Sequence, residues 1–199
     1  MADEPEVTEI ESDPAEERPS LDPEARARRE AAMRIIRVYG DPVLRTKAVD
    51  VQRFDGRLRE EVERMGVLMG DAIGVGLAAP QVGVSHRLLV YRVEPDSPVH
   101  ALVNPSIEWS SKDEEWMEEG CLSLPGVHVE VERPVHIRVR AQDERGERVY
   151  VEASGFEARV IQHEVDHLDG VLILDRTTRS ERKEAIRALR EAERAAAAA

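Results

Sequence analysis

One seventeen-residue stretch, running from Ser154 to Gly170, constrains the fold more than any other part of this chain. Ser154 and Glu157 stand at the S-x-x-E spacing of a capping box, so a helix is expected from about Gly155 to His167 or Leu168. Gly170 follows as the residue that tolerates left-handed geometry after a helix end. Inside that helix His163 and His167 are separated by one turn, so both imidazoles leave the same face. They are close enough there to share a small cation. Glu164 follows the first histidine directly, where its carboxylate can reach a water held by the cation without itself becoming a ligand. Amide hydrolysis needs these parts, because the cation acidifies water and polarises a carbonyl while the carboxylate carries a proton to the leaving nitrogen.

His-Glu-x-x-His alone does not decide between a metal centre and an amphipathic helix whose histidines are only hydrogen-bonded. A catalytic centre needs a third protein donor. The pattern His-Glu-x-x-His-x-x-Gly-x-x-His would put a histidine where Ile173 stands, so that peptidase class fails at its third ligand. Glu181, Glu184 and Glu191 lie on a polar segment and read as surface charges. The remaining strong donor is the single cysteine, Cys121, in Glu118-Glu-Gly-Cys-Leu-Ser-Leu-Pro-Gly126. A lone cysteine is commonly an inert buried residue, but this polar, glycine-flanked loop favours a thiolate ligand. A closed structural metal module is the competing reading from another class; it needs four protein ligands, and Glu164 has no purpose in it.

The rest of the chain organises around this helix. From Met1 to about Glu30 there are eleven acids against four arginines, so residues 1–33 are expected to be an acidic disordered tail. Asp41-Pro42 marks a turn, and Leu58, Val62, Met65, Met69 and Ala72 recur at helical spacing, with Gly74 as the stop. Strands are expected at Leu88 to Arg92, Val127 to Val131, Val135 to Arg140 and Val149 to Val151, forming an antiparallel sheet with one wet face. Thr178-Arg-Ser-Glu181 opens a C-terminal helix over 178–199 with a frayed end. Between Arg176 and Ala199 seven basic residues face four acidic ones; a capped surface helix is the plain reading, and a weak contact with ribosomal RNA is the other.

Three segments, Gly74-Val-Gly-Leu-Ala-Ala-Pro-Gln81, Glu119-Gly-Cys-Leu-Ser123 and Gln162-His-Glu-Val-Asp-His-Leu168, resemble the signature motifs of the peptide deformylase family, in the family's order. The resemblance spans roughly Ile35 to Asp175. It implies a catalytic domain over 34–177 of α+β class, with antiparallel or mixed strands packed around the helix that carries His163 and His167, plus the C-terminal helix. It also implies one divalent metal on Cys121, His163 and His167, natively ferrous iron, with zinc, nickel or cobalt able to take the same place. The implied reaction is removal of the formyl group from the N-terminal formyl-methionine of nascent polypeptides, releasing formate: a metal-bound water attacks the formyl carbonyl. By the same resemblance Glu164 would be general base and then acid, and the oxyanion would be stabilised by the metal, the Gln81 side-chain amide and the Leu122 N–H. The resemblance further implies that Gly76 lets the substrate backbone approach as an added strand, that Val75 lines the methionine pocket, and that Gly120 contributes on the opposite side.

Arg133 stands where the family often has an arginine, and two readings of it are open: with Glu119 it orients Gln81 through an ion pair, or it is a strand-end surface arginine; Arg159 is placed to shape the mouth of the methionine pocket. His86, His100, His128 and His136 lack partner spacing and read as polar surface or structural residues. The net charge of −13 argues against DNA as a partner. No basic n-region with an apolar stretch opens the chain, and no run nears the roughly 18 apolar residues of a membrane helix, so a cytoplasmic setting is expected.

Overall fold

The computed structural model describes residues 21–197. Helix α1, Pro23–Met33, comes first, where composition predicts a disordered tail over 1–33. Local chemistry overrides the average: Asp22 accepts from the Ala25 N–H at 2.8 Å, Pro23 takes the first helical turn, and Glu24 pairs with Arg28 at 3.0 Å. Ala32 and the following Ile36 are buried in a cluster with residues of the next helix. The expectation for residues 1–20 lies outside the described residues.

Asp41 caps a short 3-10 turn, Pro42–Arg45, at the Asp-Pro step. Helix α2, Gly56–Asp71, is capped by Asp55 and buries Leu58, Met65 and Met69. Its stripe is the one the periodicity predicts, and both methionines serve the core. The strands are β1 (Gly76–Ala78), β2 (Leu88–Tyr91), β3 (His100–Ser110), β4 (Glu114–Cys121), β5 (Leu124–Pro134), β6 (His136–Gln142) and β7 (Arg148–Ser154). They are followed by α3 (Gly155–Leu168), a 3-10 turn (Ile173–Asp175) and α4 (Arg179–Ala197). A five-stranded antiparallel sheet has the order β1-β2-β3-β6-β7, and β4-β5 form a separate hairpin.

The sheet is not wet on one face throughout. Leu88 and Val90 of β2 pack with α2, while Leu89 and Tyr91 pack with α3, so every β2 side chain is buried. The alternating pattern holds on β6, where Ile137, Val139 and Ala141 face α3 while His136, Arg138 and Arg140 are exposed. Strands β1, β3 and β4 have no counterpart in the sequence expectations. In β3 Pro105 and a positive-φ Asn104 break the pattern, and its pairing with β6 carries two irregularities; β4 reads Glu-Glu-Trp-Met-Glu-Glu, an acid-rich run of low strand preference.

The capping box at Ser154 does not form. The Ser154 side chain makes no cap bond; its Oγ lies 2.8 Å from His136 Nδ1, and Glu157 accepts from the Tyr91 hydroxyl at 3.1 Å. Both groups find partners on neighbouring strands, yet the helix begins at Gly155 as expected. Its far end is closed by Gly170 at φ +72°, where an added Cβ would meet the Arg45 carbonyl oxygen at 2.8 Å. Gly170→Ala is therefore expected to cost at least about 1–2 kcal/mol from the left-handed backbone alone. A Tm fall of roughly 2–8 °C in thermal denaturation would report it.

Thr178 Oγ1 accepts from the Glu181 N–H at 3.3 Å at the start of α4. Ala185, Ile186 and Leu189 of α4 join a third cluster with Leu124, Val127, Val129 and Val131 of β5. The helix thus clamps the hairpin that carries Cys121. Residues 198–199, where fraying is expected, lie outside the described residues. Among the described residues no helix is long and apolar enough to cross a membrane.

Candidate active site

Helix α3 and the end of strand β4 converge beneath strand β1. Cys121 Sγ lies 3.2 Å from His167 Nε2, and one ligand atom each of Cys121, His163 and His167 falls within 4.8 Å of the others. Among the described residues this is the group of histidine, cysteine and acidic side chains placed to hold a metal. The surroundings attract positive charge, which a proton on His163 or a cation that displaces it can supply. Burial opposes charge on His163, but hydrogen bonds to Cys121 and Glu119 outweigh it and raise that group well above its ordinary value. His167 goes the other way: burial, then the charges of His163 and Arg133, hold it well below, which leaves a neutral imidazole suited to ligation.

Glu164 is 4% exposed, and its Oε2 has no hydrogen-bond partner among the described residues. Burial pushes its carboxyl up to about 7. A carboxyl near neutrality can both take and return a proton at physiological pH. Its place explains Gly76: a Cβ there would sit 2.4 Å from Glu164 Oε1. The glycine is needed for the carboxylate as well as for any approaching chain. Gly76→Ala should push Glu164 out of place and lower kcat roughly 10²-fold, the lower end of what a proton-transfer group contributes, with the far-UV circular dichroism spectrum unchanged.

Strand β1 pairs with β2 along one side and is an edge strand of the five-stranded sheet. Val75, 40% exposed, gives its carbonyl to the Arg92 N–H at 2.8 Å. Antiparallel alternation then turns the Gly76 N–H and C=O toward the free edge, where an extended peptide can pair. Ala78, next on that side, already donates its N–H to Gln81 Oε1 at 2.8 Å.

That bond fixes Gln81, which is 1% exposed in the 3-10 turn Ala79–Val82. Its Nε2 donates to Ser123 Oγ at 3.2 Å and lies 3.9 Å from Cys121 Sγ. Leu122 follows Cys121 in the turn between β4 and β5, and an added Cβ on Gly74 would meet its Cδ1 at 2.9 Å. Gly120 pairs with His128 across the hairpin, so closely that an added Cβ would lie 3.0 Å from the His128 ring. All nine candidate site residues therefore lie on β1 or just before it, in the 3-10 turn after it, at the end of β4 and the turn that follows, and on α3.

Two expectations are corrected. Arg133 and Glu119 do not orient Gln81, whose partners are Ala78 and Ser123. Arg133 donates to Glu119 at 2.6 and 3.0 Å and to Asp166 at 2.9 Å, while Glu119 Oε2 lies 3.0 Å from His163 Nδ1. Burial would raise Glu119, but His163 and Arg133 pull it well below the carboxylate range, so it stays an anion. It holds His163 by Nδ1, which leaves Nε2 for a metal. Arg159 does not shape a pocket mouth either. It is 5% exposed and donates to Glu119 and to the carbonyls of Val131 and Glu115, because a buried guanidinium must spend its donors on nearby acceptors. Ser123 and Asp166 lie inside two of the quoted motifs and Arg176 outside all three, and no spacing in the sequence marks any of them as holding these residues.

His86 is paired with Glu61 at 2.9 Å, His100 stacks on Tyr91 and His136 meets Ser154, so each has a local structural partner.

Residues 33–183 match the model of the polypeptide deformylase family. The chain is 50% identical over 162 residues to the peptide deformylase of Acidothermus cellulolyticus, covering 81% of this chain and 88% of that one. The crystal structure of the Thermotoga maritima peptide deformylase superposes with a TM-score of 0.70 at 50% identity, over 72% of this chain and 96% of that one. The Legionella pneumophila peptide deformylase gives 0.77 at 39% identity, over 81% and 96%. A family match across most of the chain, relatives at half identity and a shared α+β fold lead to one conclusion: this chain belongs to the peptide deformylase family, metal-dependent hydrolases that remove the N-terminal formyl group from nascent polypeptides.

Proposed function

We propose that Cys121, His163 and His167 hold one divalent metal, that Glu164 is the proton carrier, and that Gln81 and the Leu122 N–H receive the oxyanion during deformylation of formyl-methionyl chains. The observation that carries this reading is the convergence of three donors beside a buried carboxylate, one oxygen of which has no hydrogen-bond partner among the described residues. A bound divalent metal supplies Lewis acidity toward the formyl oxygen and lowers the pKa of water. The chain's own groups do the rest. The free edge of β1 at Gly76 pairs the substrate backbone, with Val75 and Gly120 lining its path. Glu164 takes a proton from the attacking water and gives it to the departing amine, so the products are a free N-terminus and formate.

Gln81 is preorganised, its Oε1 tied to Ala78 and its Nε2 turned to the Cys121–Ser123 turn. Gln81→Ala should lower kcat by roughly 10²–10³-fold, measured as formate release at saturating formyl-Met peptide. A loss under threefold would remove Gln81 from the oxyanion site.

Ferrous iron is the native metal in this proposal, since two imidazoles and a thiolate accept several first-row ions and availability selects among them. Iron content after anaerobic purification checks it. A cytoplasmic setting and weak ribosome contact through the exposed Arg182, Lys183, Arg187 and Arg190 of α4 belong to the same proposal. Cosedimentation with ribosomes that persists after charge reversal of these four would remove the contact.

A further inference from the structure

We propose that Arg176, outside the three sequence motifs, is a positioning residue for His163, acting through Asp166, Arg133 and Glu119. The inference rests on the reading of His163 as a metal ligand. Arg176 ends the 3-10 turn Ile173–Asp175, just before α4, and its side chain is 48% exposed. Its Nη2 donates to Asp166 Oδ1 at 2.5 Å and its Nε to Asp166 Oδ2 at 3.1 Å. Asp166 is buried on α3, three residues after His163. Its Oδ2 also accepts from Arg133 Nη1 at 2.9 Å.

Arg133 is therefore shared between two buried carboxylates. Its Nε and Nη2 fork onto Glu119, and its Nη1 reaches Asp166. Glu119 passes this order on by accepting from His163 Nδ1–H. That tautomer leaves the Nε2 lone pair for the cation. Arg176 matters because it satisfies both oxygens of Asp166. Without it Asp166 keeps one cationic partner, Arg133, and draws that guanidinium along α3, away from the fork on Glu119. The fork would loosen and His163 would lose its fixed ring orientation.

An exposed salt bridge contributes only about 0–1 kcal/mol to stability. Arg176 has that exposure on one side and a buried, ligand-directed network on the other. Its removal should therefore show in metal binding before it shows in Tm.

The test uses full-length protein, stripped by chelator and reloaded anaerobically with Co2+. Affinity is read by chelator competition, and ligand geometry by the d–d and thiolate charge-transfer bands. Arg176→Ala should weaken Co2+ binding about tenfold, the low end for outer-shell partners, and alter the d–d envelope, with Tm within a few degrees of wild type. Arg176→Lys should fall between the two, because an ammonium cannot span both Asp166 oxygens. Wild-type affinity and spectrum in Arg176→Ala would overturn the proposal, as would a lowered Tm with unchanged Co2+ binding. If Arg176→Ala does not fold, Arg176→Gln carries the same comparison. Failure of the underlying reading looks different: wild-type protein would show no thiolate band, or His163→Ala would bind Co2+ as wild type does.

Discussion

Glu164→Gln should lower kcat for formyl-peptide hydrolysis by roughly 10²–10⁴-fold while one equivalent of metal still binds. The two effects separate because Glu164 is not one of the three clustered donors. Glutamine keeps the shape and cannot carry a proton, so the loss should fall on kcat and leave KM within a few-fold. Burial has raised this carboxyl to about 7, a state the fold stabilises poorly when charged and the chemistry needs. Removing that charge should leave Tm unchanged or higher, a common outcome when an active-site group is neutralised. Stopped-time formate release beside a metal titration checks both halves. Near wild-type turnover would take Glu164 out of the proton-transfer role.

Arg133→Ala should destabilise the protein by about 3–5 kcal/mol. Arg133 is 4% exposed and stands between Glu119 and Asp166, which are themselves buried. Removing it leaves two carboxylates short of a counter-ion in low dielectric, which costs far more than an exposed pair. Arg159 on Glu119 and Arg176 on Asp166 remain, so the loss should sit toward the lower end. In thermal unfolding it appears as a Tm fall of roughly 6–20 °C. Metal affinity should fall as well, because Glu119 loses the partner that aims it at His163. A Tm within two degrees of wild type would show that the network is satisfied by other means.

How much of this could be read from the chain depends on whether a feature has a period. Helix α2 and strand β6 have one, so Leu58, Met65 and Met69, and Ile137, Val139 and Ala141, identify themselves. Strand β2 has none, because both its faces are covered; its apolar run marks the strand at Leu88 to Arg92 but not which side chains meet which layer. Helix α1 was hidden by an acidic average, although Asp22-Pro23 is a start signal and Ala32 and Ile36 seal its inner side. At the site, His163, His167 and Glu164 follow from one helical turn. Cys121 follows from the need for a third donor, and Gln81 only from resemblance. The ion pairs beneath them join β4, β5, α3 and the turn before α4. Contacts between elements far apart in sequence leave no spacing to read. Arg133 could be paired with Glu119, but the beneficiary, His163 in place of Gln81, required the fold.

The central claim is that Cys121, His163 and His167 form a metal centre that hydrolyses formyl-methionyl peptides, and formate release from formyl-Met-Ala-Ser tests it most directly. Protein purified without oxygen should gain activity in proportion to added Fe2+ or Ni2+, saturating at one ion per chain, and Cys121→Ala should lose it. Folded protein that binds one metal and releases no formate, or Cys121→Ala that retains wild-type turnover, would contradict the account.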